Sequence, residues 1–532
     1  MLKRIVALFA AICFSLVFLV ANIATVSVGK RSQVAGVKNT IALTIDEKRG
    51  AFYDRNMSYL TDNETEYVAI IKPSEKTIAE VYEAFDKATA DSIIEKLKKG
   101  YPVLQVLDKP VDSTENIKVI TRTVRYSENQ ILSHIIGYYN KNVSSTFGLE
   151  KSYDPYINIS GERKVNYHVD AMGRLLSGDK GTISDENYNS KIGVVLSIDK
   201  RIQEICEKYA DEAKWFDKGA IVVLDVKTSE ILASVSRPNL NLKDMSENLN
   251  DANSPFVNRA FTAYTVGSVF KPVVAAAALE ENIKDHKVNC VGYYTLGNKK
   301  IKCHKESGHG IVNMEQAIAQ SCNPFFISLS QNMDGEKILD MANKMGFGKA
   351  TEFTDDVVSD AGNLPTKTEL LSKGELANFS FGQGSLLATP LQIANMIACI
   401  ANDGVYNQAT LIKSLVDENG NISSSVEKSK GQRVISSETA KTLMKYLKST
   451  VDNGTGKSAK PKNLSAAGKT STAQTGTMKS DSTELLNAWF AGVYPYENPK
   501  YAIVVMKEDG KSGSSDCCPI FKNIVNDLYY LT

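Results

Sequence analysis

The chain has 532 residues, 43% of them hydrophobic, with 62 basic side chains against 61 acidic ones and 14 prolines. That length exceeds one ordinary domain, and the low proline content argues against long disordered tracts, so two or three folded units are expected. Charge is nearly balanced and free of long like-charge blocks, which excludes the electrostatic footprint of a nucleic-acid-binding protein.

Residues Ile5 to Val28 form an almost uninterrupted apolar run between Lys3–Arg4 and Lys30–Arg31. As a helix it would span roughly 36 Å, enough to cross a bilayer core of about 30 Å. The alternative is a cleaved signal peptide, but Ala24 follows Ile23 and Asn22 rather than a small-x-small site. An uncleaved anchor over residues 1–30 is therefore expected. Its flanking charges nearly cancel, so the side on which the body lies has to come from the chemistry. Residues 31–192 mix an amphipathic helix pattern, Thr77 to Lys99, with alternating strands such as Lys118 to Arg125. Nothing there is catalytic in pattern. Beyond about Val194, Gly219–Asp225 and Glu230–Ser236 read as strands joined by Val226–Ser229. Leu486–Tyr494 and Tyr501–Glu508 read as a second antiparallel pair, Phe521–Tyr530 as a closing amphipathic helix and Glu418–Gly431 as an exposed loop. The fold class is α+β, an antiparallel sheet flanked by helices.

Ser-x-x-Lys occurs at Ser27, Ser177, Ser197, Ser268 and Ser425, so context has to choose. Ser27 lies in the anchor, Ser177 and Ser425 in polar loops and Ser197 in a strand-like run. Ser268 opens a helix: Pro272 is tolerated only in a first turn, and Val273 to Leu279 is apolar on every side. On a helix Lys271 shares the face of Ser268 and can take its proton, provided burial or a second cation lowers its pKa. The helix start also favours negative charge developing at an attacked carbonyl. A capping serine with a surface lysine remains open for this pair alone, although it leaves the apolar surroundings of Lys271 unexplained.

Two more motifs weigh in. Ser321-Cys322-Asn323 lies between a helix pattern begun by Asn313 and another begun by Pro324, where a helix cap is the ordinary alternative. Ala466 to Gln474 reads as a small-residue strand carrying Lys469. A phosphate loop fails here, and also at Gly456-Lys457-Ser458, because the glycine required five residues before the lysine-preceding glycine is Asn463 in one case and Val451 in the other.

The ordered set Ser268-Val-Phe-Lys271, Ser321-Cys-Asn323 and Lys469-Thr-Ser471 resembles the three active-site motifs of penicillin-binding proteins and their β-lactamase relatives. FGQGSLLATPLQ from Phe381, GHG at Gly308, GAIVVLDVKTSEILASVSRP from Gly219, RGAFYDRN at Arg49, HIIGYYN at His134 and GLEKSYD at Gly148 extend the likeness over nearly the whole chain. It is nearest to the class B, monofunctional D,D-transpeptidases.

The resemblance implies three parts: residues 1–30 as cytoplasmic tip and anchor, 31–192 as a pedestal of the dimerisation type, and 193–532 as the transpeptidase domain. It implies Ser268 as acylated nucleophile, Lys271 as base, Ser321 as proton relay and Asn323 as a hold on the substrate backbone. Lys469, with Thr470 and Thr472, would bind the terminal carboxylate of a D-alanyl-D-alanine stem, and Ser471 would line that site. The backbone N–H groups of Ser268 and Thr472 would form the oxyanion hole, and a cationic Lys469 would help keep Lys271 neutral. Ser471 departs from the family, which usually has glycine there.

Peptidoglycan stem peptides as substrates, β-lactams as covalent inhibitors, a membrane glycosyltransferase as partner and an extracytoplasmic catalytic domain on a single-pass anchor follow from the same likeness. No cofactor and no metal are expected. A D,D-carboxypeptidase or β-lactamase shares the chemistry, and a non-catalytic β-lactam receptor shares the fold. A Ser-His-Asp hydrolase is disfavoured by the five histidines and the lack of a Gly-x-Ser-x-Gly elbow. About 160 residues after the anchor cannot hold an additional glycosyltransferase domain beside a pedestal.

Finally, VNCVGYYTLGNKKIKCHKE from Val288 predicts a hairpin with a four-residue loop, Thr295 to Asn298. Tyr294 would then oppose Lys299 and Cys290 would oppose Cys303, at a spacing that suits a disulfide. A metal site of Cys290, Cys303, His304 and His309 is disfavoured, because adjacent strand residues point to opposite faces.

Overall fold

The computed structural model describes residues 1–28, 39–140, 146–158, 161–427, 430–479 and 482–531. Lys30 and Arg31 after the anchor, and Lys428 and Ser429 in the expected Glu418–Gly431 loop, lie outside the described residues. Leu2–Val28 is one helix, and its segment Leu2–Thr25 is long and apolar enough to cross a membrane.

Packing divides the chain into two units. The first comprises Met1–Arg49, Asp62–Arg125 and Ile159–Ser190. It holds two three-stranded sheets, one centred on Glu64–Ile71 and the other on Gly161–His168. The helix pattern Thr77–Lys99 forms as two helices, Thr77–Ala84 and Lys87–Leu97, because Asp86 turns its carboxylate onto the N–H groups of Ala88 and Thr89 and starts a new helix.

The second unit comprises Gly50–Thr61, Tyr126–Asn158 and Lys191–Thr532. A single cut at residues 192/193 therefore does not follow the packing. The reason is strand pairing: Ala51–Tyr53 lies parallel to Gly193–Leu196, so the stretch Gly50–Thr61 is sewn into the second unit.

The centre of this unit is a five-stranded antiparallel sheet of β1 (Gly219–Asp225), β2 (Ile231–Arg237), β3 (Ala467–Met478), β4 (Glu484–Tyr494) and β5 (Tyr501–Lys507), in the order β2-β1-β5-β4-β3. Both expected strand pairs form. Strand alternation sends Ala220, Val222, Leu224, Val504 and Met506 into one core, and Ile221, Val223, Ile503 and Val505 into another. The first core also takes α1 (Lys271–Glu280) and α3 (Pro390–Ala401); α2 (Asn323–Gln331) packs beside α1. The second core takes the helices Lys200–Glu212 and Cys518–Leu528, the latter being the expected closing helix.

Candidate active site

Ser268 sits in a tight 3-10 turn, Gly267–Phe270, that runs straight into α1. Pro272 occupies the first turn of α1 and every residue from Lys271 to Leu279 is buried, which is the context that separates Ser268 from the other Ser-x-x-Lys serines. Burial of Val273, Val274 and Leu279 contributes about 1.5–3 kcal/mol each and holds the turn against the core. The loop before it is pinned from three sides. Trp489 Nε1 donates to Thr265 O at 3.1 Å, Tyr264 and Ala388 exchange backbone bonds of 2.9 Å, and Gly267 N–H donates to Gly382 O at 2.8 Å. A Cβ on Gly382 would stand 1.9 Å from Gly267 O, which explains the glycine in the FGQG segment.

Lys271 is fully buried, and burial holds its amine down at about 8. Its Nζ donates to Asn323 Oδ1 at 2.7 Å, Ser321 O at 2.9 Å and Ser321 Oγ at 3.3 Å. Three of the expected residues thus meet at one nitrogen. Ser321 reaches it because the chain turns left-handed there, with φ +55, after the helix Met314–Ala319 ends. That conformation in a non-glycine residue costs about 1–3 kcal/mol and is sustained by Cys322 N–H donating to Ala317 O at 2.9 Å.

Strand β3 carries the third motif beside the nucleophile turn. Lys469 is fully buried and donates to Thr470 O at 2.9 Å; burial first, then the charge of Lys271, pushes its pKa well below the ordinary lysine value. Burial is the leading cause at both amines, and their mutual repulsion acts in the same direction. Thr472 is exposed on the strand, whereas Thr470 is buried with its hydroxyl 2.6 Å from that of Thr455. Ser471 faces the turn, and its Oγ accepts the Ser268 N–H at 2.7 Å.

A family model described as "Penicillin binding protein transpeptidase domain" matches residues 219–526. The chain belongs to the class B penicillin-binding proteins. It is 27% identical to Stage V sporulation protein D of Bacillus subtilis, over 91% of this chain and 78% of that protein. It is 28% identical to peptidoglycan D,D-transpeptidase MrdA of Haemophilus influenzae, over 92% and 85%. A solved chain from a study titled "Structural coordination of polymerization and crosslinking by a peptidoglycan synthase complex" superposes with a TM-score of 0.70 at 25% identity, covering 99% of each chain. This penicillin-binding protein is a D,D-transpeptidase, an enzyme of acyl transfer.

The disulfide expected in this penicillin-binding protein does not form: Cys290 and Cys303 are free. The hairpin turns on two residues, Gly297 and Asn298, pairing Leu296 with Lys299 and Tyr293 with Lys302, so its register ends before either cysteine. Cys290 instead opposes Gly310 on a separate strand pair.

The two thiols meet His309 and Cys322, with one ligand atom from each residue all within 4.8 Å of one another. His309 Nδ1 lies 3.6 Å from both Cys290 Sγ and Cys303 Sγ. Tetrahedral Zn²⁺, with Zn–S about 2.3 Å and Zn–N about 2.0 Å, sets sulfur and nitrogen roughly 3.5 Å apart, so this Cys₃His set could hold zinc. His304 is not in the set, although its Nδ1 lies 4.0 Å from Cys303 Sγ just beyond the strand, and Cys322 takes its place. Cys322 is the middle residue of the second motif.

Proposed function

We propose that this class B penicillin-binding protein cross-links peptidoglycan through an acyl-enzyme on Ser268. The observation that carries the reading is the buried Lys271 amine, held at about 8 one helical turn after Ser268 and bonded to both polar residues of the second motif. An amine that is half neutral near pH 8 can accept the Ser268 proton as Oγ attacks the D-alanyl-D-alanine carbonyl.

The oxyanion would be met by the N–H groups of Ser268 and Thr472. Ser321 would pass a proton to the departing D-alanine amine, and Asn323 would hold the stem backbone. Lys469, with Thr470 and Thr472, would receive the terminal carboxylate, whose charge would restore that of Lys469. An acceptor amine would then attack the ester, returning its proton through Ser321 and Lys271 as the cross-link forms and Ser268 is released. β-Lactams would acylate the same serine.

The N-terminal helix supports a single-pass anchor, and a substrate built outside the membrane puts the catalytic unit on that side. The first unit would serve as pedestal and the second as the catalytic domain. A glycosyltransferase in the same membrane would supply glycan strands, as the synthase complex of the structural relative suggests. The Cys₃His set would hold Zn²⁺ as a structural ion that fixes the second motif.

Labelling with a fluorescent penicillin followed by peptide mapping tests the core of this reading. The label is expected on the peptide carrying Ser268, and a label on any other serine refutes the assignment.

A further inference from the structure

The side chain of Ser471 is on the face of β3 shared with Lys469 and Ala473, opposite that of exposed Thr472. It is 3% exposed. Its Oγ accepts the Ser268 N–H at 2.7 Å, and it fills the space over Gly267, where a Cβ would stand 2.5 Å from it and 3.1 Å from the Ala473 Cβ. Gly267 has φ +58, so left-handed backbone and the Ser471 hydroxyl both demand glycine there. The hydroxyl is therefore a built part of the nucleophile turn, bonded to the amide that carries the nucleophile.

We propose that Ser471 gates the oxyanion hole: its hydroxyl occupies the Ser268 N–H in the empty enzyme, and acylation requires it to rotate away and free that donor. This rests on the reading of Ser268 as nucleophile and of its amide as half of the hole. A backbone amide has one hydrogen, and a bond of 2.7 Å engages it fully. An oxyanion-hole donor is worth about 10²–10³ in rate, so the plugged state reacts too slowly to contribute. Opening breaks one neutral hydrogen bond and turns one χ1, which sets the tax at roughly threefold to tenfold. The tax falls on every acyl donor alike, because each needs the same N–H. It spares ligands that engage only the carboxylate subsite around Thr472.

The test compares Ser471→Ala, which keeps Cβ and removes the hydroxyl, with Ser471→Gly, which removes both. Rapid-mixing kinetics on the full chain with a fluorescent penicillin and a D-alanyl thioester separate the saturating acylation rate from the dissociation constant of the encounter complex, and mapping identifies the labelled serine. Both variants are expected to acylate threefold to tenfold faster, for both donors, with that dissociation constant within twofold of the parent. Unchanged rates with the label on Ser268 overturn the gate. Slower acylation in both overturns it too, because the hydroxyl then assists the reaction. Acceleration in the glycine variant alone overturns it in favour of simple bulk. A label on a different serine defeats the nucleophile assignment instead, so the two failures are told apart.

Discussion

The two flanks of the candidate site are held by different physics. On the nucleophile flank, Ser268 and Lys271 are fixed by an apolar helix buried to Leu279, by the Trp489 indole bonded to Thr265 O and by the backbone bond from Gly267 to Gly382. On the other flank, Ser321 and Asn323 bracket Cys322 at a left-handed junction, and Cys322 belongs to a cluster of three thiols and an imidazole. Packing needs nothing from outside the chain. With zinc bound as proposed, the cluster would draw its rigidity from an ion, so the two flanks should fail under different insults, and Lys271, bonded across them, should report on both.

The largest expected effect is on the packed flank. Ser268→Ala should abolish covalent penicillin labelling and leave thermal unfolding within a degree or two, because a half-buried hydroxyl at a helix start carries little of the core. Residual labelling in gel fluorescence would place the nucleophile elsewhere.

Lys271→Arg comes next. Guanidinium keeps the charge but cannot become neutral near pH 7, so the acylation rate should fall by about 10² or more. A stopped-flow rate within a few-fold of the parent would mean that another group takes the proton. The parent enzyme should show the matching pH profile. With the amine held at about 8, its neutral fraction falls roughly tenfold for each pH unit below that value and levels off above it. Acylation should therefore climb with pH up to about 8 and then flatten, whereas a profile flat from pH 6 to 9 would remove Lys271 as base.

The thiol-cluster flank should give smaller but separable effects. Purified protein should carry close to one equivalent of zinc by elemental analysis, and a strong chelator should lower the midpoint of unfolding by several degrees and slow acylation about tenfold. Cys290→Ser should reproduce both effects without touching any residue of the three motifs. If zinc is absent and a chelator changes neither quantity, the two flanks are held by packing alike. Gly382→Ala is the finest probe on the packed side: a Cβ pressed 1.9 Å from Gly267 O should cost about 1–3 kcal/mol in chemical denaturation and leave the metal content unchanged.

Much of this is legible in the sequence, and the reasons differ from place to place. Strands β1 to β5 follow from two-residue alternation and bounded apolar runs, and the start of α1 follows from Pro272, because both signals are local. The break at Asp86 was missed because an amphipathic period continues across it, while a side-chain cap outweighs the period. The expected disulfide fails because it rested on turn length. A two-residue turn in place of four ended the hairpin early, and Cys290 found its partner on another strand. Pairing the thiols with Cys322 depends on a contact between distant segments that no spacing rule encodes. Ser471 stood out as a departure from its family, but only the geometry showed its hydroxyl on the Ser268 amide.

Strand Ala51–Tyr53 pairs with Gly193–Leu196, so it leaves the ribosome roughly 140 residues ahead of the strand that will cover it. At about 5–20 residues per second that is a wait of roughly 7–30 seconds, during which Phe52, fully buried in the finished molecule, has no partner strand. A truncated protein that begins at Lys191 would meet the complementary problem. Gly193–Leu196 would become an open edge, with its amides free to pair with another copy, so a soluble catalytic unit has to retain the stretch beginning at Gly50.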